Sequence, residues 1–101
     1  MVAVQYIVCK VAEFNTVDVG ERTADQTTKR IYLPIAALDG KEEQCKKALE
    51  KLLPKGTPVG VRDPNYPYTH PIVADVLVGN DSVTKLLVEG GFAKLWNMPT
   101  D

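Results

Sequence analysis

Positive charge is not in excess in this sequence. Lys and Arg number 12 against 13 Asp and Glu, for a formal net charge of −1 and a pI of about 5.8. The whole-molecule field therefore does not draw in polyanions. A dedicated duplex-binding domain is usually basic, because phosphate neutralisation supplies much of its affinity. Strong sequence-independent DNA binding is not expected, and only a local basic patch stays open. Histidine is nearly absent: His70 is the single one, and Cys9 and Cys45 are the only cysteines, far apart and without a CxxC partner. That leaves no set to ligate zinc. His70 has no serine or cysteine at a spacing that suggests a catalytic partner, so it reads as a loop residue at the surface. Both cysteines fall at apolar-face positions of expected elements. They read as reduced core thiols, which fits a cytosolic or nuclear protein. Long apolar runs are missing too. The start Met1-Val-Ala-Val-Gln-Tyr has no basic region before an apolar stretch, and no segment approaches the ~18 apolar residues of a membrane span.

What is present is the balance of one soluble globular domain. The 101 residues are 45% apolar and 25% charged, enough for a single small core over residues 1–101, with about 3–97 ordered. Residues 4–12 (VQYIVCKVA) are apolar on both parities and predict a strand buried on both faces. Phe14-Asn15-Thr16 reads as a turn, Val17-Asp18-Val19 as a short return strand, and 20–28 (GERTADQTT) as a hairpin loop. Residues 29–36 (KRIYLPIA) form the next strand. Pro34 cannot donate a ladder hydrogen bond, so this strand is expected at an edge or with a bulge.

Asp39 with Glu42 predicts a capping box. In the run 40–53 that follows, Cys45, Ala48, Leu49, Leu52 and Leu53 make one apolar stripe of a helix ended by Pro54 and Gly56. Val59 and Val61 alternate in a short strand. Residues 63–71 (DPNYPYTHP) hold three prolines and predict a stiff loop. Residues 72–78 (IVADVLV) are a strand. Ser82 or Asp81 caps a short second helix whose buried side is Val83, Leu86 and Leu87, stopped by Gly90-Gly91. Residues 92–96 finish extended. The order β-β-β-α-β-β-α-β suits a mostly β, α+β fold: a five-stranded OB-type barrel with one helix plugging an end and a second short helix.

The stretch 72–96, IVADVLVGNDSVTKLLVEGGFAKLW, resembles the staphylococcal nuclease family pattern: a strand ending in A-x-V-x-V, a glycine turn, then V-x-x-x-L-V-x-x-G-[FL]-A-K. KKALEKLLPKGTPVGV before it is similar to that family's first helix and following strand, and VAEFNTVDV to its V-x-D-G-D-T-x-x-V hairpin. The resemblance spans roughly residues 4–96 and lacks the family's third, C-terminal helix. It implies calcium-dependent phosphodiester hydrolysis in the intact family, where two aspartates hold the ion, a glutamate acts near the attacking water and two arginines stabilise the transition state.

In this sequence the first metal aspartate falls on Asn15. The first arginine falls on Arg30, or Ile31 in a register slipped by one, and the second aspartate on Ile35 or, slipped, Ala36. The glutamate falls on Leu38 or Asp39, and the second arginine on Pro71 beside His70. At best one of five roles is filled, and losing one electrostatic stabiliser typically costs about 100- to 1,000-fold in rate. The resemblance thus implies a catalytically inactive, nuclease-like module, similar to the degenerate repeats of Tudor-staphylococcal nuclease proteins, that holds no metal or cofactor and serves in a larger ribonucleoprotein or regulatory assembly by binding RNA, a protein partner or both.

The candidates for contact are few. Tyr66 and Tyr68, with Arg62 and Asn65 nearby, would stack on unpaired bases or pack on the barrel itself. Lys10, Lys29 and Arg30 are the material for a small basic spot. Lys47, Lys51 and Lys55 recur along the first helix but share its face with Glu43 and Glu50, which reads as a solvated mixed-charge surface. Trp96 is a core or edge anchor, or a docking point for another chain or a second copy if the missing helix leaves it uncovered. Two rival readings stand beside the binding module. One is a weak calcium-dependent nuclease with a rearranged site of Asn15, Asp18, Asp39 and Arg30; the other is a purely structural oligomerisation module.

Overall fold

The computed structural model describes residues 4–62 and 72–95. The N-terminal apolar run forms β1 (Val4–Glu13), and the Phe14-Asn15 turn sends the chain back as β2 (Thr16–Gly20). β1 is not buried on both faces as expected: Tyr6, Val8 and Val11 join the core while Gln5 and Lys10 are exposed. Every residue of β2 is buried, Asp18 among them. The two strands are antiparallel, with register shifts between Val8 and Lys10 and between Val11 and Glu13. An extra residue on one strand of a pair bends it and increases its twist. Two such irregularities in one hairpin start the strong curl of the sheet.

The strand expected over 29–36 is broken. β3 (Lys29–Tyr32) pairs with β2, whereas β4 (Ile35–Ala37) joins a separate two-stranded sheet with β9 (Ala93–Leu95). Pro34 is the reason: it lacks a donor and constrains the residue before it. The chain therefore changes sheets there, where an edge or a bulge had been expected. The strand expected over 72–78 divides in the same way. β6 (Ile72–Val73) runs parallel to β3, while β7 (Asp75–Val78) runs antiparallel to β5 (Pro58–Arg62). β8 (Asp81–Ser82) extends this side. The seven-stranded order is β6-β3-β2-β1-β5-β7-β8. One residue, Ala74, thus links a strand at one end of the sheet to the last strand but one at the other. The sheet must curl until its two sides lie that close. The result is a small α+β domain, mostly sheet, with two helices.

The helix over Glu42–Leu52 (α1) carries the expected apolar stripe, with Cys45 and Leu49 fully buried. Its start differs from expectation. Lys41 occupies the cap position without a side-chain cap bond, so Asp39 is not the cap. Asp39-Gly40 instead forms a turn in which Lys41 N–H donates to Leu38 C=O at 2.9 Å and Gly40 has φ +72°. A glycine there accepts the left-handed conformation at little cost, and the turn wins over the capping box. The second helix, Val83–Glu89 (α2), is capped by Ser82, whose Oγ accepts Lys85 N–H at 3.1 Å. Its buried side is Val83, Thr84 and Leu87, while Leu86 is exposed. Asp75 Oδ1 accepts Thr84 N–H at 3.2 Å, which ties the first turn of the helix to the sheet.

One cluster unites the inner sides of β1, β2, β3, β5 and β7 with Leu33, Ile35, Cys45, Leu49, Leu53, Val83 and Leu87. Cys9 and Cys45 are free and buried, in keeping with the core reading of both. No helix among the described residues is long and apolar enough to cross a membrane.

Leu49 is wholly buried and Leu86 is 37% exposed, so the same substitution separates the two helix faces. Leu49→Ala is expected to cost about 2–5 kcal/mol, and Leu86→Ala under about 1 kcal/mol, both read from urea denaturation. A second prediction concerns pH. Burial pushes the Cys45 thiol pKa up, so as pH rises through about 8.5 the unfolded chain ionises this group before the folded chain does. The stability it contributes is complete below that pH and falls as pH rises, by at most about 1.4 kcal/mol per pH unit. Urea titrations between about pH 7.5 and 10 should show a shallower decline for Cys45→Ala than for the parent; equal slopes would contradict it.

Candidate functional site

Three of the positions singled out by the nuclease resemblance meet in space. Asn15, Ile35 and Ala36 line a pocket of about 320 Å³ together with Phe14, Tyr32, Leu33 and Val73. The β1–β2 turn and the break at Pro34 build it. Leu33 N–H donates to Asn15 C=O at 2.7 Å, and Ile35 N–H to Leu33 C=O at 2.8 Å, so the chain folds sharply over the turn. The Asn15 amide oxygen accepts from Thr16 Oγ1 at 3.0 Å. Apart from that amide and the Tyr32 phenol, the lining side chains are hydrocarbon, with Ile35 only 2% exposed.

Among the described residues no carboxylate lines this pocket. Asp39 lies exposed in the turn before α1, and Asp18 faces Arg30 instead. Calcium takes six to eight oxygen ligands, and carboxylates among them supply the charge that holds it. Nowhere among the described residues do three His, Cys, Asp or Glu side chains gather as a metal site. Chemically, the pocket suits an apolar or aromatic group with one hydrogen bond at its edge.

The expected basic spot takes a different form. Lys10, Asp18 and Arg30 are cross-strand neighbours on β1, β2 and β3. Arg30 Nε lies 2.7 Å from Asp18 Oδ1, and a terminal guanidinium nitrogen lies 3.1 Å from Oδ2. The fork is bidentate, the geometry in which an Arg–carboxylate pair is strongest. Asp18, and to a smaller degree Tyr32, push the Arg30 pKa further up. The Asp18 side chain is 4% exposed and that of Arg30 50%, so the arginine covers a carboxylate otherwise sealed in the sheet. Lys29 is half-buried opposite Val19 and, by strand alternation, belongs to the other face of β3 from Arg30. The three cations therefore do not form one patch: an acid stands between two of them and the third turns away.

Arg62 has a similar partner. It meets Asp75 across β5 and β7 at 3.3 Å. Asp75 also accepts hydrogen bonds from Ser82 Oγ and Thr84 N–H, tying α2 to the sheet. A cleft of about 460 Å³ opens beside this hub, walled by Val88, Leu95 and Pro34. Thr84 Oγ1 is buried there without a hydrogen-bond partner. The resemblance and the composition did not point to Asp75 or Thr84. The available signal was a single acid in an apolar strand, Ala74-Asp75-Val76, repeated in Val17-Asp18-Val19; each acid finds an arginine on the neighbouring strand. Tyr66, Tyr68, His70, Pro71 and Trp96 lie outside the described residues.

Removing one partner of the Asp18–Arg30 pair leaves a buried charge uncompensated, whereas removing both does not. Arg30→Met is expected to lower Tm by on the order of several degrees, and adding Asp18→Asn should restore part of that loss. Thermal unfolding of both single variants and the double variant checks this; simple additivity would mean the groups are not coupled. No protein-family model matches this chain and no curated protein is significantly similar to it, so its function has to be read from the geometry of these sites.

Proposed function

We propose that this chain is a non-catalytic binding module on a five-stranded OB-type barrel of the staphylococcal-nuclease kind, working by holding a partner protein within a larger assembly. The pairing order supports the barrel reading. With β6 and β7 counted as one strand bent at Ala74, the pairs run β3–β2–β1–β5–β7/β6, and the parallel β6–β3 pair returns to the start. The placement of α1 between β4 and β5 fits a helix covering one end.

One observation carries the functional reading. The positions at which the resembled nucleases hold calcium, Asn15 and Ile35 or Ala36, gather on a mainly apolar pocket whose polar side chains are the Asn15 amide and the Tyr32 phenol. Such a wall takes an apolar side chain and offers a divalent ion no charged side-chain oxygen. A protein occupant is favoured over RNA because Arg30 and Arg62 are both held by carboxylates and the chain as a whole is slightly acidic. Phosphate contacts supply most non-specific nucleic-acid affinity, and these cations are largely neutralised.

The test is a phage-displayed peptide selection against the full chain, followed by calorimetry with calcium and a cleavage assay on single-stranded nucleic acid. Enrichment of peptides with an aromatic or branched apolar anchor is expected, with binding at least about tenfold weaker to Ala36→Trp, which fills the pocket. No saturable calcium heat and no cutting are expected. Metal-dependent cutting would overturn the reading. A mobility shift of single-stranded RNA at moderate salt, weakening as salt is added and blocked in Ala36→Trp, would replace the protein partner with RNA.

A further inference from the structure

A second surface lies on α1, away from the nuclease-like pocket. Gln44, Lys47, Ala48 and Lys51 occupy i, i+3, i+4 and i+7 of the helix, so they share one stripe beside the buried one. Phe92, brought alongside by the Gly90-Gly91 turn, completes a groove of about 320 Å³. Ala48 and Phe92 are partly buried and rest on the core, while Lys47 and Lys51 are exposed. A third cation stands at one end, where Lys41 Nζ donates to Gly91 C=O at 3.4 Å. Among the described residues the groove lining has two lysines and no acid, in a chain whose net charge is −1. Glu43 and Glu50 flank this stripe on the helix and are exposed; Glu43 lies 3.7 Å from Lys47, and both side chains are largely exposed. Solvent screens such a pair, which leaves Lys47 available for a better-placed anion. The cleft beside Asp75 offers no comparable choice: Arg62 and Lys85 are balanced there by Asp75 and Glu89.

We infer that this groove docks an acidic segment of a partner protein, with one apolar side chain seated on Ala48 and Phe92 and its carboxylates facing Lys47, Lys51 and Lys41. The charge complementarity gives the sign of the partner, and the apolar floor between the cations gives the anchor. A nucleic-acid strand is the poorer match, because strand-tracking grooves repeat stacking platforms and a single aromatic lines this one. The Phe92 ring is held against Gly90, where an added Cβ would sit 2.9 Å from Phe92 Cε2. Gly90 therefore sets the depth of the floor. This inference stands apart from the occupancy of the Asn15–Ala36 pocket, and Ala36→Trp should leave it intact.

The experiment is an amide nuclear magnetic resonance titration of the full chain with a synthetic peptide of about twelve residues, rich in Glu and Asp around one central Leu-Phe pair. Two controls accompany it: the same peptide with Lys replacing its acids, and an oligouridylate of equal charge. Shifts confined to Gln44–Lys51 and Gly90–Phe92 are expected with the acidic peptide, weakening as salt is added. Lys47→Glu/Lys51→Glu should lower the affinity at least about tenfold, with the amide spectrum elsewhere unchanged. Gly90→Ala should lower it without a change of charge, by displacing the Phe92 ring. No shifts on this face up to millimolar acidic peptide, equal shifts with the lysine peptide or the oligouridylate, or undiminished binding by the charge-reversed variant would each overturn the inference.

Discussion

The architecture depends on Ala74. Its N–H donates to Tyr32 C=O at 2.9 Å, the residues before it pair with β3, and those after it pair with β5. Two sides of the sheet are thereby held one residue apart. Everything between them in the pairing order has to curl to allow it, and the bulged β1–β2 hairpin supplies the necessary twist. Ala74 is 4% exposed, and a small side chain suits a position where two strand directions meet. The core fills the hollow this curl creates. Val17, Val19, Ile31 and Val76 from the sheet meet Leu49 and Leu87 from the two helices.

The polar side of the structure follows one recurring device. Asp18 and Asp75 each sit in an apolar strand next to an arginine of the adjacent strand. A buried carboxylate is costly unless fully paired. Asp18 is met by a bidentate fork; Asp75 by Arg62, a serine hydroxyl and a helix N–H. Both acids thus tie neighbouring strands together, and the second also anchors the start of α2. The same pairing removes Arg30 and Arg62 from service as free phosphate contacts. Structural and functional roles compete for these side chains, and the structural one holds the geometry.

Much of the fold was legible along the chain. The apolar run of β1, the stripe of α1, the Ser82 cap and the glycine stops all follow from local periodicity and turn chemistry. The two errors of strand length share a cause. Periodicity over 29–36 and 72–78 continues unbroken through Leu33-Pro34 and Ala74, and side-chain alternation carries no information on which neighbour each half will pair with. Asp39 misled for a local reason, since Asp-Gly serves a turn as well as a cap. Leu86 misled for a tertiary one: which side of a two-turn helix faces inward depends on how it packs on β7 and β9, and here Val83, Thr84 and Leu87 face in.

By itself, the sequence determined most of the core and the position of both helices, because these depend on neighbours within a turn or two, and composition alone gave the absence of a charge excess. The resemblance read from it named Asn15 and Ile35, or Ala36 in the slipped register, as positions to compare. Only the tertiary structure decided that these three share one mainly apolar pocket, that Asp18 stands between Lys10 and Arg30, and that Phe92 meets Lys47 and Lys51 across a groove. Those contacts join residues from eight to more than forty positions apart, and they exist because strand pairing, the curled sheet and its two helices bring separate segments together. Local propensity has no access to that distance.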